Sequence, residues 1–185
     1  MPPQPQAAAG TGPRTGLQID RTTHTIRFTR VFDAAPAEIF AAWTKPEHVT
    51  HWWDAAGEPL AVCEIDLTPG GRFRFISKTH PEMAFAGTYS EISPPDRLIF
   101  EAMGATGRVI LKDAAGKTHM TVEIACRSAA ELDQFVKMGV DVGTAQTLDN
   151  LVAFSRRAKL ADEGNFATAF KKSRGTADPA LKLGF

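Results

Sequence analysis

An excess of charge of either sign is missing from this chain. Lys plus Arg and Asp plus Glu number 21 each, so the formal net charge is zero. A nucleic acid or anionic membrane surface is held by a concentrated basic field, so neither is expected as a partner. Cysteine is scarce as well, with Cys63 and Cys126 far apart in sequence. Two distant thiols do not make a disulfide framework and fit a reducing compartment. No apolar run approaches the ~18 residues of a membrane helix, so no membrane insertion is expected. The opening MPPQPQAAAGTGPRTG has one Arg and no apolar stretch, and reads as neither signal peptide nor anchor. Together these features place the protein in the cytoplasm.

Hydrophobic residues make up 43% and charged residues 23%, which is enough to bury one core. Residues 1–21, mostly Pro, Ala, Gly and Gln at their start, lack the large side chains that offset ordering entropy and read as a disordered tail. Residues 22–162 read as one domain. Residues 163–185 read as a second tail, with Phe166, Phe170 and Phe185 available to dock on the body.

Within the domain the hydrophobic period changes in a defined order. Thr22–Phe32 alternates, with Ile26, Phe28 and Phe32 on one face, and predicts a strand. Arg30 falls on that apolar face, at the rim or against a carboxylate. Pro36 suits the first turn of a helix, where its missing N–H costs nothing. Ile39, Phe40 and Trp43 then form one helical stripe. Pro46 stops that helix and opens a second, ending in Trp52-Trp53. Further strands are expected at Val62–Leu67, Arg72–Lys78, Met83–Ile92, Arg97–Met103, Arg108–Lys112 and Thr118–Cys126. Pro69-Gly70-Gly71, Pro94-Pro95-Asp96 and a turn bracketed by Gly104 and Gly107 separate them. Ser128-x-x-Glu131 has the form of a capping box. The strongest amphipathic helix runs from Thr144 through Leu148, Leu151 and Val152 to about Leu160. The fold class is α+β, with about seven antiparallel strands and a long C-terminal helix.

Four motifs in this order resemble a known family: RVFDAAPAEIFAAWTKPEHVTHWW, CEIDLTPGGRFRF, FAGTYSEISPPDRLIFE and GKTHMTVEI. The chain is similar, over about residues 22–157, to the family named after the activator of the heat-shock protein 90 ATPase, in the SRPBCC superfamily. The resemblance implies a helix-grip fold, in which a curved sheet surrounds the long helix and a ligand cavity lies between them. Family members often carry a Gly-Trp pair at the start of the last helix. Here Gly143 is followed by Thr144, which implies a more open or differently shaped pocket.

The concave face would then present Phe73, Phe75, Phe85, Tyr89, Phe100, Met120 and Val122, with Leu148 and Val152 opposite on the helix. One of Trp52 and Trp53 packs in the core, and the other lines the cavity mouth. Tyr89 supplies the lone polar handle, because a buried phenol needs a partner. No catalytic constellation appears. Cys63 and Cys126 lie in strands, Ser77, His80 and Glu82 on a loop, and His119 and Glu123 on an outward face. His48, His51 and Asp54 lack further residues at ligand spacing, so no metal and no cofactor are expected. Arg72, Arg74, Arg156, Arg157, Lys159, Lys171 and Lys172 read as solvated. The expected function is binding of a small hydrophobic or amphipathic ligand. Two alternatives are a cyclase- or aromatase-like enzyme acting by orientation and a co-chaperone-like interaction domain. Nothing in the sequence opposes a homodimer.

Overall fold

The computed structural model describes residues 16–174, with side chains described to residue 164. Two strands open the fold, β1 (Gly16–Asp20) and β2 (Thr25–Phe32), followed by helices α1 (Pro36–Thr44) and α2 (Pro46–Val49). Six strands follow: β3 (Val62–Ile65), β4 (Arg72–Ile76), β5 (Ala84–Ser93), β6 (Arg97–Ala102), β7 (Ala105–Ala114) and β8 (Lys117–Ala125). Helices α3 (Ala129–Lys137) and α4 (Val140–Arg174) close the described chain.

All neighbouring strands are antiparallel, in the order β1-β2-β8-β7-β6-β5-β4-β3. Consecutive strands from β3 to β8 are neighbours, as short turns require. Two of those turns are two-residue hairpins, Met103-Gly104 and Ala115-Gly116, with positive φ at both positions. That geometry matches the right-handed strand twist, and glycine accepts it without penalty.

The remaining connection sets the architecture. β2 is second in the sheet and β3 is last, six spacings away. At ~4.8 Å per spacing the chain between them must travel about 29 Å. Residues 33–61 make that crossing over the concave face and carry α1, α2 and all three tryptophans. Both helices begin with a proline. The Ala35 N–H is met by the Glu38 carboxylate at 2.8 Å. Ile39, Phe40 and Trp43 are buried against the sheet, as their spacing predicts. Thr118 ties the start of β8 to this crossing by donating to the Ala34 carbonyl at 2.7 Å.

The sheet has eight strands where the sequence suggests about seven. The additional one is β1, inside the stretch read as tail. It is a short edge strand whose Ile19 packs against the core opposite Ile26, too little apolar pattern to announce itself. Gly107 does not bracket a turn; it lies inside β7 opposite Phe100. The long helix starts four residues before Thr144, because Gly139 takes the left-handed conformation that ends α3. It also runs past residue 163 to Arg174. An isolated glycine such as Gly164 costs a helix only about 1 kcal/mol and does not stop it. The side chains of Phe166 and Phe170, and all of Phe185, lie outside the described residues.

Ser128 caps α3 by accepting from the Glu131 N–H at 3.1 Å. The Glu131 carboxylate turns instead to the Arg127 N–H, at 2.6 Å, so the box is closed one residue early. α4 lies against β2, α1 and α3, with Leu148 and Leu151 fully buried. Among the described residues no helix is long and apolar enough to cross a membrane.

Candidate functional site

Because α4 lies over β2, the opposite end of the concave face is left to other groups. Phe73 and Phe75 project from β4, Phe85 and Tyr89 from β5, and Leu98 and Phe100 from β6. Alternation places each on the inner face, since side chains two apart share a side. Trp43 from α1 and Trp53 from the turn after α2 close over them.

Phe73 is the hub of this group. Its ring centroid lies 5.3 Å from Phe75, 5.6 Å from Phe85, 5.1 Å from Tyr89 and 5.5 Å from Phe100. The Phe73–Phe100 pair meets at 87°, edge to face, the arrangement that aromatic quadrupoles favour. Trp53 adds contacts of 4.9 Å to both Phe75 and Phe85. The space left among these side chains is only about 10 Å³. That is roughly the least volume that admits one water. This space is small because the protein's own rings fill it.

Two of the rings sit over glycines. A Cβ on Gly87 would lie 2.6 Å from Phe73 Cζ, and one on Gly107 would strike the Phe100 ring. These positions lack a side chain so that the aromatic floor can lie flat on the sheet. That is the physical reason Gly107 occurs inside a strand.

The paired tryptophans are placed differently. Trp52 is completely buried, and its indole N–H donates to the Ala42 carbonyl at 3.0 Å. It stacks edge-on against Trp43 at 4.9 Å. Trp53 faces the aromatic group. Trp52 is thus separate from the lining, and so are Met120, Val122, Leu148 and Val152. Met120 and Val122 sit on β8, third of the eight strands and beside β2, where Met120 Sδ receives the Trp43 indole N–H at 3.4 Å. Leu148 is buried under α4, and Val152 borders a surface groove beside Asp33 and Lys159. The crossing from β2 to β3 contributes Trp43 and Trp53 to this space. Trp43 and Leu98, read only as core or strand residues, join the lining. The helical stripe marks Trp43 as buried but not which strands it meets.

Tyr89 is the one titratable side chain in the lining, and only 3% of its surface is exposed. Its hydroxyl makes no hydrogen bond among the described residues. Burial, with a smaller contribution from the neighbouring Cys63, pushes its phenol well above the ordinary tyrosine range. Cys63 faces the same side from β3, paired in register with Phe75. Burial first, and the Glu47 charge second, raise its thiol to about 11. It is therefore an inert thiol at neutral pH.

Beside this group, the buried Asp54 carboxylate accepts from the Ala56 N–H at 2.9 Å and from the Ser77 hydroxyl. From α4, Asn150 donates to the Asp54 carbonyl at 2.8 Å and Thr147 to the Trp53 carbonyl at 3.2 Å. These bonds fix the backbone of the turn that carries Trp53. His48 and His51 face Phe154 of α4 at 5.6 and 6.2 Å. Among the described residues no group of His, Cys, Asp and Glu is arranged to hold a metal ion.

The family model described as Activator of Hsp90 ATPase homolog 1-like protein matches residues 33–155. Among solved structures, protein Ms6760 from Mycobacterium smegmatis is similar, with a TM-score of 0.70 and 22% identity. The match covers 78% of this chain and 98% of that one. An AHSA1-like protein from Aeromonas hydrophila superposes with a TM-score of 0.59 at 21% identity, over 72% of this chain and 94% of that one. At these identities the likeness is one of fold. No curated protein matches the chain.

Proposed function

The chain belongs to the family of Activator of Hsp90 ATPase homolog 1-like proteins, in the SRPBCC superfamily, and on that premise we propose that it binds a small hydrophobic or amphipathic molecule. Members of this superfamily commonly bind hydrophobic ligands. The observation that carries the reading is the ring cluster around Phe73. A fold that needed only a core could fill this end with aliphatic side chains locked by β-branching. Instead it uses rings that meet at varied tilts. The ligand's place is between β4–β6 and the crossing segment, rather than against α4.

The lining also weighs against the cyclase-like alternative. A chain folded for reaction needs at least two groups that hold or move protons, and Tyr89 is the one titratable side chain here.

Native mass spectrometry of gently purified protein tests this reading, paired with a thermal-shift panel of fatty acids and fused-ring aromatics. A retained mass, or a saturable rise in Tm with either class, is the expected result. A bare protein mass with no shift from any compound would remove the proposal.

A further inference from the structure

We propose that the Trp53 indole is a movable plug seated where the ligand goes, and that the ligand is a planar, fused two-ring molecule carrying one hydrogen-bond acceptor for Tyr89. This inference rests on the ligand-binding reading above and narrows it to a chemical class and an entry device.

The three tryptophans are held differently. The Trp43 N–H donates to Met120 Sδ at 3.4 Å, and the Trp52 N–H to the Ala42 carbonyl at 3.0 Å. The Trp53 N–H has no partner among the described residues, and its ring is only partly buried. What holds the Trp53 ring is contact with other rings, chiefly Phe75 and Phe85 at 4.9 Å each. An incoming aromatic molecule can replace such contacts one for one, whereas a directional hydrogen bond would have to be broken.

The backbone beneath Trp53 is fixed. Thr147 holds the Trp53 carbonyl at 3.2 Å and Asn150 holds the Asp54 carbonyl at 2.8 Å. Opening is therefore a rotation of one side chain and not a departure of the turn. The vacated volume is that of one indole added to the ~10 Å³ already present. This size admits a fused pair of aromatic rings and excludes a long acyl chain or a sterol.

Tyr89 supplies the second, independent observation. It lines the same residual space, is 97% withdrawn from solvent (3% exposed), and has no hydrogen-bond partner among the described residues. The Tyr89 hydroxyl has no acceptor among the described residues, so its donor is free for an acceptor on the ligand. Phe73 lies 5.1 Å from Tyr89 and 5.6 Å from Phe85, so the floor is continuous from the phenol to the rings that touch Trp53.

The test uses the full chain and three probes: quinoline, which has one ring-nitrogen acceptor, naphthalene, which has the same shape without it, and palmitate. In wild type, quinoline is expected to shift one indole N–H resonance, assigned to Trp53 by its absence from Trp53→Phe. The Trp43 and Trp52 resonances stay in place. Removing the plug in Trp53→Ala is expected to tighten quinoline binding about tenfold, since the closed population no longer competes. Quinoline should exceed naphthalene by roughly two- to tenfold, the worth of one neutral hydrogen bond, and Tyr89→Phe should abolish that preference. If Trp53→Ala does not fold, Trp53→Leu and the wild-type titration decide. Equal binding by wild type and the plug-removed variant, or no preference for quinoline, overturns the inference. Palmitate binding without either two-ring probe overturns the inference and leaves the broader reading standing. No binding of any probe by any variant removes both.

Discussion

The guanidinium of Arg30, on the otherwise apolar face of β2, donates from Nε to Asp149 Oδ1 of α4 at 2.9 Å. It also donates to the carbonyls of Thr29 at 2.8 Å, Ala145 at 3.2 Å and Gly16 at 3.4 Å. One side chain thus joins β1, β2 and the long helix. The pair is lopsided, since 6% of the Arg30 side chain is exposed against 58% of that of Asp149.

That asymmetry predicts unequal costs. In Asp149→Ala the guanidinium keeps its three carbonyl acceptors and water can take the place of the mostly exposed carboxylate, so the loss is expected to stay near 1 kcal/mol. Arg30→Ala also strands backbone carbonyls and removes packing under α4, with an expected loss of about 2–4 kcal/mol. Urea unfolding of both variants measures the difference. Equal midpoints would contradict it.

Trp52 and Trp53 are adjacent in sequence but unequal in the fold. Trp52→Ala empties a fully buried site and breaks the bond to Ala42, with an expected cost of about 3–5 kcal/mol. Trp53→Ala is expected to cost about half as much, because its ring is only partly buried. A midpoint shift for Trp53→Ala as large as that for Trp52→Ala would make it a core residue and not a lining one.

The two glycines under the aromatic floor respond differently to a methyl group. At Gly87 a new Cβ strikes the Glu101 carbonyl, which cannot retreat without opening the β5–β6 ladder. At Gly107 the three nearest atoms all belong to the Phe100 ring, a side chain that can shift where a backbone carbonyl cannot. Overpacking typically costs about 1–3 kcal/mol, so Gly87→Ala is expected at or above the top of that range and Gly107→Ala near its bottom. Phe100→Leu should relieve Gly107→Ala in a double-mutant cycle, and additivity would refute the contact.

Alkylation reads the Cys63 environment. With its thiol raised from 9.0 to about 11, the thiolate fraction at pH 8 falls about a hundredfold. Iodoacetamide labelling of native protein at this cysteine is expected to be slower than in urea by that order. Labelling at the unfolded rate would show that Cys63 does not face the aromatic cluster.

Tyr89 should shape the alkaline limb of stability. Its phenol titrates higher folded than unfolded, so its contribution is full below the ordinary tyrosine value of 10.0. As pH rises past that value the unfolded state loses the proton first, and stability falls until the folded pKa is passed. Tyr89→Phe is expected to flatten the slope of unfolding free energy above pH 10. An unchanged slope would mean the phenol is not desolvated.

Much of the architecture was legible because it rests on local chemistry. Alternation in TIRFTRVF, the prolines opening two short helices, the turn residues between strands and the stripe in α4 each act over a few residues. β1 escaped because a five-residue edge strand needs little apolar patterning, and α4 overran both its expected ends because glycine signals a helix stop only weakly. For the candidate site, alternation put Phe73, Phe75, Phe85, Tyr89 and Phe100 on one face.

What the sequence could not disclose was which parts lie opposite that face. Leu148 and Val152 have the same helical pattern wherever α4 is laid down, and Trp43 has the same stripe wherever α1 crosses. The sequence alone determined the elements, their order and the inward aromatic set, because backbone periodicity and turn chemistry are local. The tertiary structure alone decided that the crossing segment covers these rings, that Trp53 fills the space among them, and that Arg30 finds Asp149. Those pairings depend on strand order, and strand order is set by burial summed over the whole chain.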